Sequence, residues 1–335
     1  MTAGASAVVV VSAAALGASA FYLLLPKFIR PLLRLALALR YGFRVTGLEN
    51  IPKTGPVLFA ANHVTWIDGF ILAALVPREG KAMVNAGLVN LPVLKQLTIR
   101  AGIIPVPYRG PRAIRMAIEA ARALLSQGEC IGIFPEGQIS RTGAMNPFYR
   151  GIEVILRGRD DVAVVPVALD GLWGSVFSRS GGLFFWKRPK GLRRTVRIAY
   201  GPPVARPLMA FAVRQALLEA LVHARALATA PVPLPETILA DLPRWEHPEL
   251  GLLTGSTADL HIPSADVHQI GSKPGTVGQA VPGVALRAVG EDGLALPPGT
   301  EGRLEALLPD RPGWIDTGRR GRLDPDGFVR LGDGG

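Results

Sequence analysis

Hydrophobic positions along the chain fall into three regimes. Residues 7–25 are almost wholly apolar, and no charged residue occurs between Met1 and Pro26. From Gly47 to Val204 short continuous apolar runs alternate with stretches of helical character. Beyond a proline-bearing segment, Ala230 to Pro235, glycines and turn residues punctuate short strand-like stretches.

The first regime meets the requirement of about 20 apolar residues for a membrane-spanning helix. Lys27, Arg30, Arg34, Arg40 and Arg44 all follow it, the reverse of the charge order in a cleaved secretory signal. The order predicts an uncleaved anchor with the rest of the chain on the cytoplasmic side of a membrane, as in a bacterial inner membrane. Phe28 to Tyr41 reads as a second, amphipathic helix, with Arg30 and Arg34 four apart among leucines. A spanning helix and an interfacial hairpin both satisfy this pattern.

In the second regime the alternation predicts an α/β domain in which helices cover a central mixed sheet. Three apolar runs read as buried strands: Pro56 to Ala61, Cys130 to Phe134 and Val162 to Leu169. A helix is expected over Phe211 to Ala228. Together the regimes predict an anchor and amphipathic helix at 1–44, a catalytic domain at 45–229, a linker at 230–247 and a small β-rich appendage at 248–335.

Composition sharpens the choice of partner. Lysines and arginines number 37 against 26 acidic residues, a net charge of +11 that favours anionic surfaces. Nucleic acid and acidic lipid both qualify on charge, but 49% hydrophobic and 19% charged residues favour lipid over nucleic acid. The lone Cys130 excludes an internal disulfide and any multi-cysteine metal site, and its apolar setting predicts a buried, inert thiol. No metal ligand set and no bound cofactor are expected.

Ligand sites in open α/β sheets gather beyond the carboxyl ends of strands. Directly after the first predicted strand stands Asn62-His63-Val64-Thr65-Trp66-Ile67-Asp68-Gly69. On an unbroken helix His63 and Asp68 would diverge by about 140°. They meet only if His63 lies in a loop and Asp68 in the first turn of the next helix. In that geometry Asp68 sets the imidazole tautomer and leaves the other nitrogen to take a hydroxyl proton. The spacing alone also suits a histidine that caps a helix or is satisfied in the core.

After the second strand, Phe134-Pro135-Glu136-Gly137 offers a carboxylate beside a glycine, a combination suited to a polyol or amine headgroup and equally to a turn with a solvated glutamate. Two basic zones, from Gly80 to Ile118 and from Trp186 to Arg197, contain no acid. Phe184, Phe185 and Trp186 beside the second zone suit contact with anionic headgroups.

His63 and Asp68, the Phe134 to Gly137 block and Val165-Pro166-Val167, in this order, resemble motifs I, III and IV of the glycerophosphate and lysophospholipid acyltransferases. The resemblance covers about residues 40 to 225. It implies acyl transfer from acyl-CoA or acyl carrier protein to a lysophospholipid hydroxyl in a membrane, with His63 and Asp68 catalytic. Glu136, Gly137, Arg109 and Arg141 are then the residues that contact substrate. Motif II is distorted: Gly102 to Arg109 has a proline where phenylalanine is expected and its arginine one place late. Motif III reads Glu136-Gly137-Gln138-Ile139-Ser140, with isoleucine in place of the usual arginine. With Phe148-Tyr149-Arg150-Gly151 downstream, this variant looks most like the acyltransferase half of bifunctional 2-acylglycerophosphoethanolamine acyltransferase and acyl carrier protein synthetase. The nearest alternative acceptor is glycerol-3-phosphate or an aminolipid, and an inactive, membrane-anchored binding protein is the alternative of another class.

Residues Lys273 to Leu331 resemble the part of adenylate-forming acyl-activating enzymes that precedes their hinge, on Gly275-Thr276-Val277-Gly278, Pro298-Gly299-Thr300-Glu301-Gly302 and Trp314-Ile315-Asp316-Thr317-Gly318. Members of that family need an aspartate after the Thr-Gly pair for the ATP ribose, where this chain has Arg319. The expectation is a β-rich remnant or docking module that does not activate fatty acids.

Overall fold

The computed structural model describes residues 30–86, 103–107, 110–181, 193–228, 244–247, 251–255, 276, 278–280, 283–309 and 312–332. The apolar segment expected to enter a membrane lies outside these residues, as do Arg109 and the aromatic residues Phe184 to Trp186. No helix among the described residues is long and apolar enough to cross a membrane.

Helix α1, over residues 30–40, leads directly into strand β1, Tyr41–Thr46. Then follow β2 (Val57–Ala61), α2 (Asp68–Leu75), β3 (Gly80–Asn85), β4 (Ile104–Val106), α3 (Pro111–Ser126), β5 (Cys130–Ile133), α4 (Gly151–Leu156), β6 (Ala163–Asp170), β7 (Arg194–Tyr200) and α5 (Ala210–Ala226). The seven strands form one sheet in the order β1-β7-β6-β2-β5-β3-β4. Only β6 and β7 pair antiparallel, so the sheet is mixed, as the alternating pattern predicts.

The predicted strands fall where the sequence puts them because each is a continuous apolar run, the signature of a strand covered on both faces. All five residues of β2 are buried between β6 and β5. Val57, Phe59 and Ala61 feed one core layer and Leu58 and Ala60 the other, the period-two alternation of an extended strand. Leu58, fully buried, contributes roughly 1.5–3 kcal/mol by leaving water. Helix α3 starts at Pro111, which suits a first helical turn, and turns Ala117, Ala121 and Leu125 inward at four-residue spacing. Cys130 is buried at the head of β5, where burial pushes its thiol pKa up, consistent with an inert thiol.

A second, antiparallel sheet holds β8 (Arg244–His247), β9 (Gly251–Gly255), β10 (Gly278–Ala280), β11 (Ala285–Val289), β12 (Gly302–Leu307), β13 (Trp314–Leu323) and β14 (Phe328–Leu331). This is the expected β-rich appendage, with β8 inside the segment expected to be a linker. Helix α5 lies between the two sheets. Val213 and Leu217 enter the core with Ala285 and Leu307, whereas Phe211 packs against the apolar cluster of the second sheet. The side-chain amide of Gln215 donates to the Leu286 carbonyl, and Arg225 pairs at 3.4 Å with Asp170 at the end of β6. The second sheet is thus a packed layer of the fold.

Candidate active site

Parallel register brings the site together. Ala60 of β2 stands opposite Ile133 of β5, and three residues beyond each come His63 and Glu136. The backbone N–H of His63 donates to Glu136 Oε1 at 2.8 Å, and the N–H of Ser140 donates to the His63 carbonyl at 2.7 Å. Before the histidine, the Asn62 side chain clamps the loop onto β6, donating to the Leu169 carbonyl at 2.9 Å and accepting from its N–H at 2.7 Å.

Asp68 is the first residue of α2, where a negative charge is favoured by the helix dipole. Its side chain turns back over the loop. Oδ2 accepts from the N–H groups of Val64 at 2.6 Å and Thr65 at 2.8 Å and faces His63 Nδ1 at 3.0 Å; Oδ1 accepts from the Thr65 hydroxyl. Four donors therefore hold one carboxylate that has no exposed surface, while the His63 side chain keeps 18% of its own. With Oδ2 as an acceptor, Nδ1 carries the proton and Nε2 is left as the basic nitrogen. Nε2 has no hydrogen-bond partner among the described residues. The Phe134 ring stacks on the imidazole, 4.1 Å between centroids and 17° from parallel, which restricts the ring to one plane.

Glu136 differs from the expectation of a headgroup contact. It is 1% exposed, and its second oxygen accepts from the Asn146 N–H at 2.7 Å. Burial pushes its pKa up to about 8, against the opposing pull of these two N–H groups and of Arg214. A carboxyl group closed in this way braces the His63 loop and does not reach solvent. Gly137 lies on the surface with φ +64, and an added Cβ would come within 2.7 Å of the Tyr149 ring, so the tight turn after Glu136 needs a glycine. Arg141 is exposed on the loop that starts at Ser140. Thus His63, Asp68 and Glu136 converge, Gly137 and Arg141 are exposed on the chain that follows Glu136, and Arg109 lies outside the described residues. Thr65, Phe134 and Arg214 were not legible as site residues. A hydroxyl three places before Asp68 was the one available signal.

The sequence model of the Acyltransferase family matches residues 42–170. The chloroplastic 1-acyl-sn-glycerol-3-phosphate acyltransferase LPAT1 of Arabidopsis thaliana is 28% identical over 132 residues, 39% of this chain and 36% of that protein. The 1-acyl-sn-glycerol-3-phosphate acyltransferase of Bacillus subtilis is 30% identical over 148 residues, 43% of this chain and 71% of that protein. Among solved structures, the 1-acyl-sn-glycerophosphate acyltransferase PlsC of Thermotoga maritima shares 22% identity at a TM-score of 0.45, covering 57% of this chain and 78% of that one. The chain spans 36%, 38% and 50% of the lengths of three such curated relatives, from Arabidopsis thaliana, Brassica napus and Borreliella burgdorferi.

Proposed function

This chain belongs to the acyltransferase family that includes the 1-acyl-sn-glycerol-3-phosphate acyltransferases, and from that premise we propose that it acylates a lysophospholipid at a membrane, with His63 as general base. The donor is a fatty acyl thioester of coenzyme A or acyl carrier protein. The single observation that carries the reading is the His63 Nδ1 contact with Asp68 Oδ2 at 3.0 Å, on a carboxylate held by three further donors.

In the proposed step, His63 Nε2 takes the proton of the acceptor hydroxyl as its oxygen attacks the thioester carbonyl. The C–O bond forms, the tetrahedral intermediate collapses, the C–S bond breaks, and the imidazolium returns its proton to the departing thiolate. Asp68 keeps its proton count throughout. Its part is to hold the imidazole in one tautomer and to stabilise the imidazolium as it forms, an arrangement that contributes by orientation and electrostatics.

The names of the relatives support 1-acylglycerol-3-phosphate as the acceptor. Ile139, standing where the motif usually has arginine, favours a second reading, a 2-acylglycerophosphoethanolamine acceptor. Membrane attachment is supported by the apolar run at residues 7–25 and by Leu32, Leu35 and Leu39 on α1, 61%, 60% and 77% exposed. The basic residues that follow the run favour a cytoplasmic orientation.

The test is to incubate the purified chain with labelled acyl-CoA or acyl-acyl carrier protein and a panel of lysophospholipids, and to identify the products. A diacyl phospholipid from one headgroup class is expected. Free fatty acid alone, or no turnover with either donor, defeats the proposal.

A further inference from the structure

Arg214 joins the second sheet to the histidine loop. It sits on α5, 4% exposed, with one described hydrogen bond, from Nη2 to the Met145 carbonyl at 3.3 Å, and its Nε is buried without a partner. The other half of that same peptide unit is the Asn146 N–H, which donates to Glu136 Oε2 at 2.7 Å. Glu136 Oε1 in turn accepts from the His63 N–H. A continuous chain of hydrogen-bonded groups therefore runs from Arg214 through one peptide plane and one carboxyl to the main chain of His63.

The opposite side of the guanidinium meets the C-terminal sheet. A Cβ on Gly327 would come within 2.2 Å of Arg214 Nη1, so the backbone of the turn between β13 and β14 lies against the cation. The turn is stiff. Asp324 Oδ1 accepts from the N–H groups of Asp326 and Phe328, each at 2.9 Å, and the Gln279 side chain donates to the Asp326 carbonyl at 2.9 Å. The acidic groups that offset burial of the guanidinium are Glu136, then Asp326 and Asp324, one from the catalytic sheet and two from the appendage.

Burying a guanidinium with so few bonds is costly, and a well-packed apolar side chain would serve mere packing at least as well. A hydrogen-bonding side chain explains the site better because it reaches the Met145 carbonyl, whose peptide unit holds Glu136, on one side and lies against the Asp324–Gly327 turn on the other. We propose that Arg214 is a positioning residue for His63, and that the Asp324–Gly327 turn of the C-terminal sheet clamps it there. The appendage is then a working part of the acyltransferase. The kinetic half of this inference rests on His63 as the base; the structural half does not.

The test uses the full chain as wild type, Arg214→Met, Arg214→Lys and Gly327→Ala. Amide hydrogen exchange is followed at His63 and Asn146, with the strand β2 amides as internal reference. Arg214→Met and Gly327→Ala are expected to speed exchange at His63 and Asn146 by about tenfold while β2 keeps its protection, and Arg214→Lys to restore part of it. In the acyl transfer assay the same two variants are expected to lose about tenfold in kcat with KM unchanged. Unchanged exchange at His63 in both variants, or a rise spread evenly over β2, overturns the proposal. Wild-type chain that transfers no acyl group refutes the function proposed above and leaves the exchange pattern to decide the coupling.

Discussion

Replacing Asp68 with asparagine isolates the electrostatic part of the dyad. The amide oxygen can take the place of Oδ2 and accept from Val64, Thr65 and His63 Nδ1. The amide nitrogen then occupies the Oδ1 position, where the Thr65 hydroxyl can rotate to accept from it. Geometry is kept and the charge is lost. A full charge 3.0 Å from an imidazolium, at the effective dielectric constant of about 20 suited to such sites, is worth roughly 5 kcal/mol. The neutral ground-state imidazole recovers part of this through its N–H dipole, so the expected loss is about 10²–10³-fold in kcat with KM within a factor of about three. Steady-state acyl transfer by Asp68→Asn, with a circular dichroism spectrum and melting temperature near wild type, is the assay. An intact, folded Asp68→Asn enzyme retaining more than half of the wild-type kcat refutes the dyad reasoning.

Glu136 predicts a pH signature. Its folded pKa, about 8, lies above the ordinary 4.5, so between those values the folded chain holds a proton that the unfolded chain releases. Stability from this group is therefore present below pH 4.5 and is lost as pH rises toward 8, by roughly 4–5 kcal/mol at the upper limit. Chemical denaturation across that range should show wild type falling relative to Glu136→Gln, and parallel curves contradict the assignment. Leu217, fully buried on α5 between the two sheets, should cost about 2–5 kcal/mol on change to alanine, read as a lower denaturation midpoint. Replacing Leu32, Leu35 and Leu39 by serine should leave the melting temperature within a few degrees and weaken sedimentation with anionic vesicles; equal sedimentation counts against membrane contact through α1.

What the sequence disclosed and what it hid have separate physical causes. Strands β2, β5 and β6 were legible because each is an apolar run long enough to be covered on both faces. Strands β1, β3 and β7 were not, since Arg44, Lys81 and Arg197 interrupt their apolar pattern; β1 buries only Tyr41, β3 buries no residue fully, and β7 buries only part of its length. The spacing allowed His63 and Asp68 to meet only where a loop passes into a helix, as it does here, but it left a capping histidine equally open, and the resemblance to the acyltransferase motifs is what singled the pair out. Glu136 was misplaced because a glutamate beside a glycine says nothing about which backbone N–H groups close over it. That depends on the register of Ala60 opposite Ile133, a long-range fact. Arg214 was invisible for the same reason: its partners lie at residues 145 and 327, far from it in sequence.

The account depends on one basic nitrogen more than on any other group. Acyl transfer to the preferred lysophospholipid, measured side by side for wild type and His63→Ala at equal folded fraction, tests it most directly. The account predicts at least about a 10³-fold loss of kcat in the variant, with vesicle binding and melting temperature preserved. Turnover within about tenfold of wild type by a folded His63→Ala protein would contradict it.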